Sequence, residues 1–365
     1  MKKRISVLLA SVMALSLFSG CFKQTPPPAE PSPAPLPEVV EPETPDTPEE
    51  PEAVESTPVV NFAALSGPTG VGAAQMLNLY GFTAEQGVEI LPAGSPIAIN
   101  YSIAASNDEI TPALINGSLD IAAIATNLAA NLNAKTEGGI QVLGINTLGV
   151  LYILEKGDTV HEMSDLRGKT LYAPSNTKGA NPEHILNHLL SESDVDPSEV
   201  NIEWLTPQEI TVKMTTEDAG ICMLPVPAAT AVLVKDSGVR EAISLSQAWE
   251  EIEGSPLPMG CIVARTQFVE EHLETVERFM EVYEASLTFV NDEANRAEAA
   301  ELVAQLGITP NAAIAGRAIP QCNLTLTTGE EMKDTLEAYY RILFKNNPGS
   351  IGGSMPYDDF YYGVD

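Results

Sequence analysis

The fold is decided by residues 119–132, which read Leu-Asp-Ile-Ala-Ala-Ile-Ala-Thr-Asn-Leu-Ala-Ala-Asn-Leu. The run 119–125 predicts a buried strand, because it is short, almost continuously apolar and bounded by polar residues. It ends at Thr126 and Asn127, after which Leu128 and Leu132 recur at helical spacing. A buried strand that leads directly into a helix is the repeating unit of α/β folds.

The same alternation continues on both sides of this stretch. Further strands are predicted at 59–65, 140–146, 150–154, 200–204, 219–223 and 259–264, with helical stretches between them. A long helix with one apolar face follows Phe268, and another starts at Thr328 or Gly329. The globular part, 59–365, is long enough for two lobes. We therefore expect an α/β fold with two lobes.

Small and neutral polar residues follow the predicted strands. In open α/β sheets, ligands bind at the carboxyl ends of the strands, where helix N-termini offer unpaired N–H groups. We interpret these positions as a cleft that holds a small molecule without reacting with it; ordinary helix caps are the alternative. The candidate ligand-binding residues are Ser66, Gly67, Thr69, Thr126, Asn127, Asn146, Thr147, Ser175, Asn176 and Thr177.

Signatures of catalysis and metal binding are missing from the sequence. It has no Gly-x-Ser-x-Gly elbow, and Gly168-Lys169-Thr170 lacks the glycine five residues earlier that a phosphate loop requires. His184 and His188 have the spacing of two metal ligands on one helix face, which Glu192 continues, but we interpret this as a solvated polar face. We predict no catalytic residue, no metal and no cofactor, and hence no enzyme.

The chain is strongly acidic, with a formal net charge of −31. Residues 1–20 contribute +3 through three basic residues, and residues 22–58 contribute −8 through nine acidic residues and one lysine. The globular part, 59–365, therefore carries a net charge of −26. Such a surface repels phosphate backbones, which argues against nucleic acid as a partner. It is also repelled by an anionic membrane surface, so membrane attachment would need a covalent lipid.

The N-terminus predicts such a lipid. Lys2, Lys3 and Arg4 precede a short apolar run, as in a secretory signal. Residues 17–21, Leu-Phe-Ser-Gly-Cys, resemble the bacterial lipobox, which implies removal of 1–20 and lipidation of Cys21. An ordinary signal peptide with a chance cysteine at the junction is the alternative. Phe22 rather than Asp follows Cys21, which favours a single-membrane bacterium with the protein on the outer face of its cell membrane.

Residues 21–58 predict a disordered stalk. Twelve prolines and nine acidic residues fall in this segment, which cannot bury enough apolar surface to offset its ordering entropy. Proline-rich chains stay extended, so the segment suits a tether that lifts the globular part from the membrane. A spacer without a length requirement fits equally.

Four short motifs resemble those of the solute-binding lipoproteins of ABC importers, in the SsuA-like branch that binds sulfonates, taurine, nitrate and thiamine-pyrimidine precursors. They are 115–122 (Ile-Asn-Gly-Ser-Leu-Asp-Ile-Ala), 166–170 (Leu-Arg-Gly-Lys-Thr), 224–228 (Leu-Pro-Val-Pro-Ala) and the return strand within 259–268. The resemblance implies a type 2 periplasmic-binding-protein fold with two hinge crossovers. Lobe one would comprise 59–150 plus 259–365, and lobe two 151–258.

The resemblance also implies a function. A monomeric receptor would capture a small-molecule ligand between the lobes and deliver it to an ABC permease. An enzyme of the same superfamily, acting on a pyrimidine precursor or in a menaquinone-like pathway, and a membrane-tethered ligand sensor are the alternatives.

The resemblance is incomplete at the loop 224–228. Pro225 becomes a further candidate ligand contact, but Val226 stands where the group usually has Glu. None of the candidate junctions around Ser66, Thr126, Asn146 and Ser175 carries an arginine that could pair with an anion. An anion held by helix N-termini and a neutral or heteroaromatic ligand are therefore both compatible, with stacking partners available in Tyr101, Tyr152 or Tyr172.

Beyond Cys21 the chain has three cysteines, Cys222, Cys261 and Cys322. Outside the cytoplasm two of them could form a disulfide, and their spacing does not say which. The resemblance places Cys261 and Cys322 in the same lobe, so we expect a disulfide between these two.

Overall fold

The computed structural model describes residues 57–364. The signal peptide, Cys21 and nearly all of the stalk lie outside this range, so their predictions are not addressed by it. The strands are β1 (Val59–Leu65), β2 (Gly81–Phe82), β3 (Ala98–Ala104), β4 (Ile121–Ala125), β5 (Ile140–Thr147), β6 (Leu151–Lys156), β7 (Thr170–Pro174), β8 (Asn201–Leu205), β9 (Gly220–Pro225), β10 (Val239–Ser244), β11 (Gly260–Arg265) and β12 (Leu324–Thr327).

The helices lie between these strands and after them. They are α1 (Pro68–Val71), α2 (Ala74–Tyr80), α3 (Asn107–Ile115), α4 (Thr126–Lys135), α5 (Asn181–Glu192), α6 (Pro207–Thr216), α7 (Ala228–Lys235), α8 (Leu245–Glu253), α9 (Thr266–Glu271), α10 (Leu273–Asn291), α11 (Arg296–Gln305), α12 (Ala312–Ala318) and α13 (Gly329–Asn346). Among these described helices, none is long and apolar enough to span a bilayer.

Seven strands form the larger sheet, in the order β12-β5-β11-β4-β1-β3-β2. β1 is parallel to β3 and β4, whereas β11 is antiparallel to both β4 and β5. β1, β3, β4 and β5 therefore end at the same edge. Strands β4 and β11 are buried almost throughout, which explains their unbroken apolar sequences.

Five strands form the smaller sheet, in the order β10-β6-β9-β7-β8, all from residues 151–244. β7 is parallel to β8 and β9, and β6 is antiparallel to β9 and β10. The chain crosses between the sheets at 148–150 and again through α8 and 254–259. The predicted α/β architecture with two lobes and two crossings is confirmed; the lobe boundaries stay a prediction.

Apolar residues join the elements into three clusters. One packs α2 and α10 on the larger sheet, where Phe62 and Phe279 lie 5.3 Å apart. A second joins the smaller sheet's β6 and β9 to α11 and α12. The third combines both sheets with α5, α8 and α13, around Trp249 and Tyr339. The two sheets are thus linked by packing as well as by the crossings.

The predicted disulfide is wrong. In the part of the chain that the structure describes, Cys222, Cys261 and Cys322 are all unpaired and buried. Cys261 belongs to the cluster around Trp249, whereas Cys322 packs in the cluster with α11 and α12. The resemblance placed both cysteines in one lobe, but their side chains pack in different apolar clusters and form no disulfide.

Buried thiols of this kind are expected to be unreactive. Burial raises the pKa of Cys222 and of Cys322 to about 12, and it raises that of Cys261 as well. We expect no reaction with Ellman's reagent at pH 8 while the protein is folded, and three reactive thiols in guanidinium when Cys21 is lipidated or replaced by alanine. One thiol instead of three would show that a disulfide exists.

One buried carboxylate organises the smaller sheet. Glu155 on β6 accepts hydrogen bonds from Thr159 N at 2.9 Å and Val160 N at 3.1 Å, and lies 2.6 Å from the Arg240 guanidinium of β10. Burial raises the pKa of Glu155, but these hydrogen bonds and the charge of Arg240 outweigh burial and hold the pKa below its usual range.

Replacement of Glu155 by glutamine is expected to destabilise the protein by about 3 kcal/mol, because Arg240 then loses its buried partner. A lowered folded-state pKa means that the carboxylate contributes stability above its unfolded pKa of about 4.3 and loses it as the pH falls through the folded value. Urea unfolding should therefore separate wild type from Glu155→Gln at pH 7, and the difference should begin to shrink below about pH 4 and vanish only below the lowered folded-state pKa. The exposed Glu203→Gln is the control; an equal effect there would contradict the prediction.

Candidate functional site

A cavity of about 430 Å³ lies where three helices begin. Its wall includes the first residues of α3 (Asn107, Asp108), of α4 (Asn127) and of α5 (Asn181). The loop before α5, Met259 in the second crossing and Ser350 in the C-terminal turn complete it. The segments that follow strands of the larger sheet and of the smaller sheet therefore both contribute to the cavity wall. The volume of the cavity falls in the range of small-molecule sites.

The three helix starts are not capped by side chains. Ala125 and Ala180 precede α4 and α5 and have no side-chain acceptor, and Ser106 before α3 makes no capping hydrogen bond. Uncapped N-termini leave N–H groups without partners and carry partial positive charge. The cavity thus offers backbone donors to a bound acceptor.

Asparagine side chains supply most of the remaining polarity. Asn127 Nδ2 and Asn131 Nδ2 donate to the carbonyl oxygens of Ser350 at 3.4 Å and Gly349 at 3.2 Å, which fixes both amides against the C-terminal turn. Asn176 is exposed at the mouth. Among the described residues that line the cavity, Asp108 alone is ionisable. The site is suited to holding a polar molecule through neutral contacts.

Asn181 is held by the C-terminal helix. The Tyr339 hydroxyl of α13 donates to Asn181 Oδ1, and the adjacent Tyr340 hydroxyl donates to the Thr126 carbonyl at 2.8 Å. α13 therefore contacts the starts of both α4 and α5, one on each side of the cavity. Burial raises the pKa of Tyr339, so its hydroxyl stays protonated and available as a donor.

Three of the predicted ligand-binding residues, Asn127, Asn176 and Thr177, line this cavity. Three others are buried with internal partners: Thr126 Oγ1 donates to the Pro258 carbonyl at 2.8 Å, Asn146 Nδ2 donates to the Tyr283 hydroxyl at 2.8 Å, and Thr147 Oγ1 donates to Asn146 Oδ1 at 3.1 Å. Their polar groups form internal hydrogen bonds where the ends of β4 and β5 meet the second crossing, and these bonds leave the groups less available to a ligand.

The remaining predicted residues lie outside the cavity wall. Ser66 and Ser175 are exposed, Thr69 Oγ1 turns back to the Leu65 carbonyl at 3.5 Å, and Pro225 pairs with Leu151 across β9 and β6. Gly67 has a φ of 127°, a conformation that favours glycine. Their part in binding stays a prediction.

The tyrosines proposed for stacking have other surroundings. Tyr172 donates to Glu217 at 3.0 Å and lies under the Lys213 ammonium, 4.6 Å from the ring centre. Tyr152 is buried, which raises its pKa, and Tyr101 packs near Gly81. None of the three is part of the described cavity wall.

The interpretation of His184 and His188 as a solvated face is wrong for His188. This side chain is buried, with Nε2 2.6 Å from Glu253 Oε1 of α8 and Nδ1 3.0 Å from Asn346 Nδ2 of α13. Burial also lowers the pKa of His184. Within residues 57–364, no group of three potential ligands is arranged to hold a metal ion.

Sequence reasoning missed Asn107, Asn181 and Tyr339. Asn181 precedes Pro182, a pair typical of a helix start, and that signal could have identified it. Asn107 and Tyr339 carry no comparable signal, because only the packing of α3 and α13 brings them near the cavity.

Solved structures share this fold at low sequence identity. An ABC transporter protein from Parabacteroides distasonis is 21% identical with a TM-score of 0.68, over 83% of this chain and 98% of that one. The periplasmic aliphatic sulphonate binding protein SsuA from Escherichia coli is 14% identical with a TM-score of 0.64, over 82% and 96%. The alkanesulfonate-binding protein SsuA from Xanthomonas axonopodis pv. citri, bound to MOPS, is 14% identical with a TM-score of 0.58, over 80% and 94%.

One family model matches part of the sequence. The model described as Menaquinone biosynthesis matches residues 185–345, which is less than half of the chain. No curated protein matches the sequence. The expected likeness to SsuA-like proteins is confirmed at the level of the fold: the chain has the two-lobed α/β fold of the type 2 periplasmic binding proteins.

Proposed function

We propose that the protein is a solute-binding lipoprotein that captures a small polar molecule in this cavity and delivers it to the permease of an ABC importer. The observation that carries the proposal is the meeting of three uncapped helix starts with asparagine amides around about 430 Å³. These groups bind a ligand by hydrogen bonds and have no evident chemistry to perform on it. The names of the structural neighbours support the same role.

Lipidation at Cys21 and the stalk 21–58 belong to this proposal. A tether would keep a monomeric receptor near its permease on the outer face of a single-membrane cell. Metabolic labelling with an alkynyl fatty acid should mark the wild type and not Cys21→Ser, which should appear in the culture medium. Equal release of wild type and Cys21→Ser into the medium would contradict lipid anchoring at Cys21.

Ligand binding can be tested without knowing the ligand. Native mass spectrometry of freshly purified protein should detect a co-purified small molecule, and thermal shift against sulfonates, nitrate, pyrimidines and amino acids should find a compound that stabilises the fold. Stabilisation by none of these compounds, together with an empty mass spectrum, would contradict the proposal.

An enzyme of the same fold is the second candidate, and the menaquinone family model over 185–345 favours it. Catalysis would need a general acid or base at the substrate, and Asp108 is the one ionisable side chain among the described residues of the wall. Turnover of a menaquinone-pathway precursor by the purified protein, lost in Asp108→Asn, would establish the enzyme instead of the receptor.

A further inference from the structure

The first crossing between the sheets is held from both sides. Leu148 N donates to the Asn323 carbonyl at 3.0 Å, and Asn323 Nδ2 donates to the Gly149 carbonyl. One residue later, Val226 N donates to the Val150 carbonyl at 3.0 Å. Asn323 directly precedes β12 of the larger sheet, and Val226 directly follows β9 of the smaller sheet. The chain therefore passes from the hold of one lobe to that of the other between Gly149 and Val150.

The backbone of Asn323 is adapted to this position. Its φ is 45°, in the left-handed region that costs most residues free energy and that asparagine tolerates better than most. Such a conformation persists where surrounding contacts hold it. Here the holding contacts are the two hydrogen bonds to Leu148 and Gly149. Asn323 is thus fixed to the crossing through both its backbone and its side chain.

The second crossing packs against the first at the same point. A Cβ atom on Gly149 would lie 2.4 Å from Ser246 Oγ and 2.5 Å from Ser246 Cβ, near the start of α8. Real Cβ atoms do not approach other atoms this closely, so there is no room for a side chain between the two crossings. The crossings therefore meet at Gly149 and form a single pivot for the lobes.

The segment that holds the first crossing also reaches the lobe of the smaller sheet. Thr230 Oγ1 of α7 donates to Gln321 Oε1 at 2.8 Å, and Thr230 is only 4% exposed. Cys322, between Gln321 and Asn323, is fully buried in the apolar cluster that includes Leu224 of β9. Three consecutive residues are thus tied to α7, to that cluster and to the first crossing.

We propose that residues 321–323 are a clamp that holds the two lobes in the arrangement of this structure, with or without a ligand between them. Asn323 limits bending of the first crossing, and Gln321 ties the segment to α7. Because Leu324 continues into the larger sheet, the lobes cannot separate on this side without breaking the Thr230–Gln321 hydrogen bond. This goes beyond the proposed function, since it concerns the motion of the lobes and applies to a receptor and an enzyme alike.

The clamp is tested by measuring the separation of the lobes in the absence of any ligand. Spin labels are attached to cysteines at two exposed positions on opposite lobes, Glu109 on α3 and Lys178 before α5. The background is the full chain with Cys21→Ala, because the other native thiols are buried. Pulsed electron spin resonance then gives the distribution of distances between the labels, which should be dominated by the shorter separation when the clamp is intact.

Two variants each remove one contact of the clamp. Thr230→Val removes the hydroxyl at nearly constant volume, and Asn323→Gly removes the amide but still allows the positive φ. Each should shift the ratio of closed to separated lobes about two- to tenfold toward separation, the equivalent of one hydrogen bond. Far-UV circular dichroism checks that both are folded. Gln321→Met and Asn323→Asp remove the same two hydrogen bonds and serve if either variant does not fold.

Matched variants away from the clamp are the controls. Thr211→Val removes a hydroxyl that bonds within α6, to the Pro207 carbonyl at 2.9 Å, and Asp194→Gly relieves another positive φ, of 59°. Neither should alter the distances between the labels. The inference requires a shift in both clamp variants. An unchanged distribution in either of them, or an equal shift in its control, would overturn it.

Discussion

Replacement of Asn181 by leucine is expected to weaken ligand binding by a factor on the order of 10 to 150, the equivalent of one hydrogen bond to a charged group. The side chains are similar in size, so the change removes the amide and keeps the volume. Calorimetry with the compound identified by mass spectrometry or thermal shift measures the loss. Asn187→Leu, six residues further along α5 and outside the described cavity wall, is the control.

The same substitution has a separate effect on stability. Leucine at position 181 leaves the Tyr339 hydroxyl buried without its acceptor, which should cost about 1–3 kcal/mol. The double variant Asn181→Leu with Tyr339→Phe removes both partners and should recover most of that stability without recovering binding. Binding that stayed at the wild-type level in Asn181→Leu would exclude the amide from the site.

Tyr339→Phe alone distinguishes positioning from contact. Tyr339 does not line the described cavity wall, but without its hydroxyl the Asn181 amide is free to turn and present either atom. We expect a smaller loss of affinity than for Asn181→Leu, with a faster dissociation rate. A larger loss of affinity in Asn181→Leu than in Tyr339→Phe would show that Asn181 contacts the ligand and that Tyr339 aligns the Asn181 amide.

Much of the fold follows from local patterns in the sequence. The stretch 119–132 predicts β4 and α4 nearly residue by residue, because β4 is buried on both faces and α4 starts at the polar pair Thr126 and Asn127. β3 and β10 are not predicted. Asn100 and Ser102 interrupt β3, and Arg240 and Glu241 interrupt β10, because one face of each strand is less buried and tolerates polar side chains.

The candidate site is harder to predict for a physical reason. Asn127 and Asn176 follow strands and can be recognised by the rule for strand ends. Asn107, Asn181 and Tyr339 come from three helices far apart in sequence, and their hydrogen-bonding state depends on tertiary packing. His188 shows the same effect, since its burial depends on Glu253 and Asn346 from two other helices.

The packing that holds α13 in place gives the largest expected change in stability. Trp249 on α8 is fully buried, with its ring 5.1 Å from His188 of α5 and 5.6 Å from Tyr339 of α13. Trp249→Ala should destabilise the protein by about 3–5 kcal/mol, through lost apolar burial and the cavity left among three helices. Urea unfolding followed by far-UV circular dichroism measures it, with the half-buried Trp204→Ala on β8 as control.

Trp249→Phe separates packing from polarity. The Trp249 Nε1 group is buried and has no acceptor among the described residues, so phenylalanine removes an unsatisfied donor while keeping an aromatic ring. The lost area and the removed donor oppose each other, and we expect a net cost of about 1 kcal/mol.

The two variants should also differ in ligand binding. Tyr339 packs on the Trp249 ring and aligns the Asn181 amide. Trp249→Ala should therefore weaken ligand binding, whereas Trp249→Phe should largely preserve it. Unchanged affinity in a folded Trp249→Ala protein would show that α13 holds Asn181 without the support of α8.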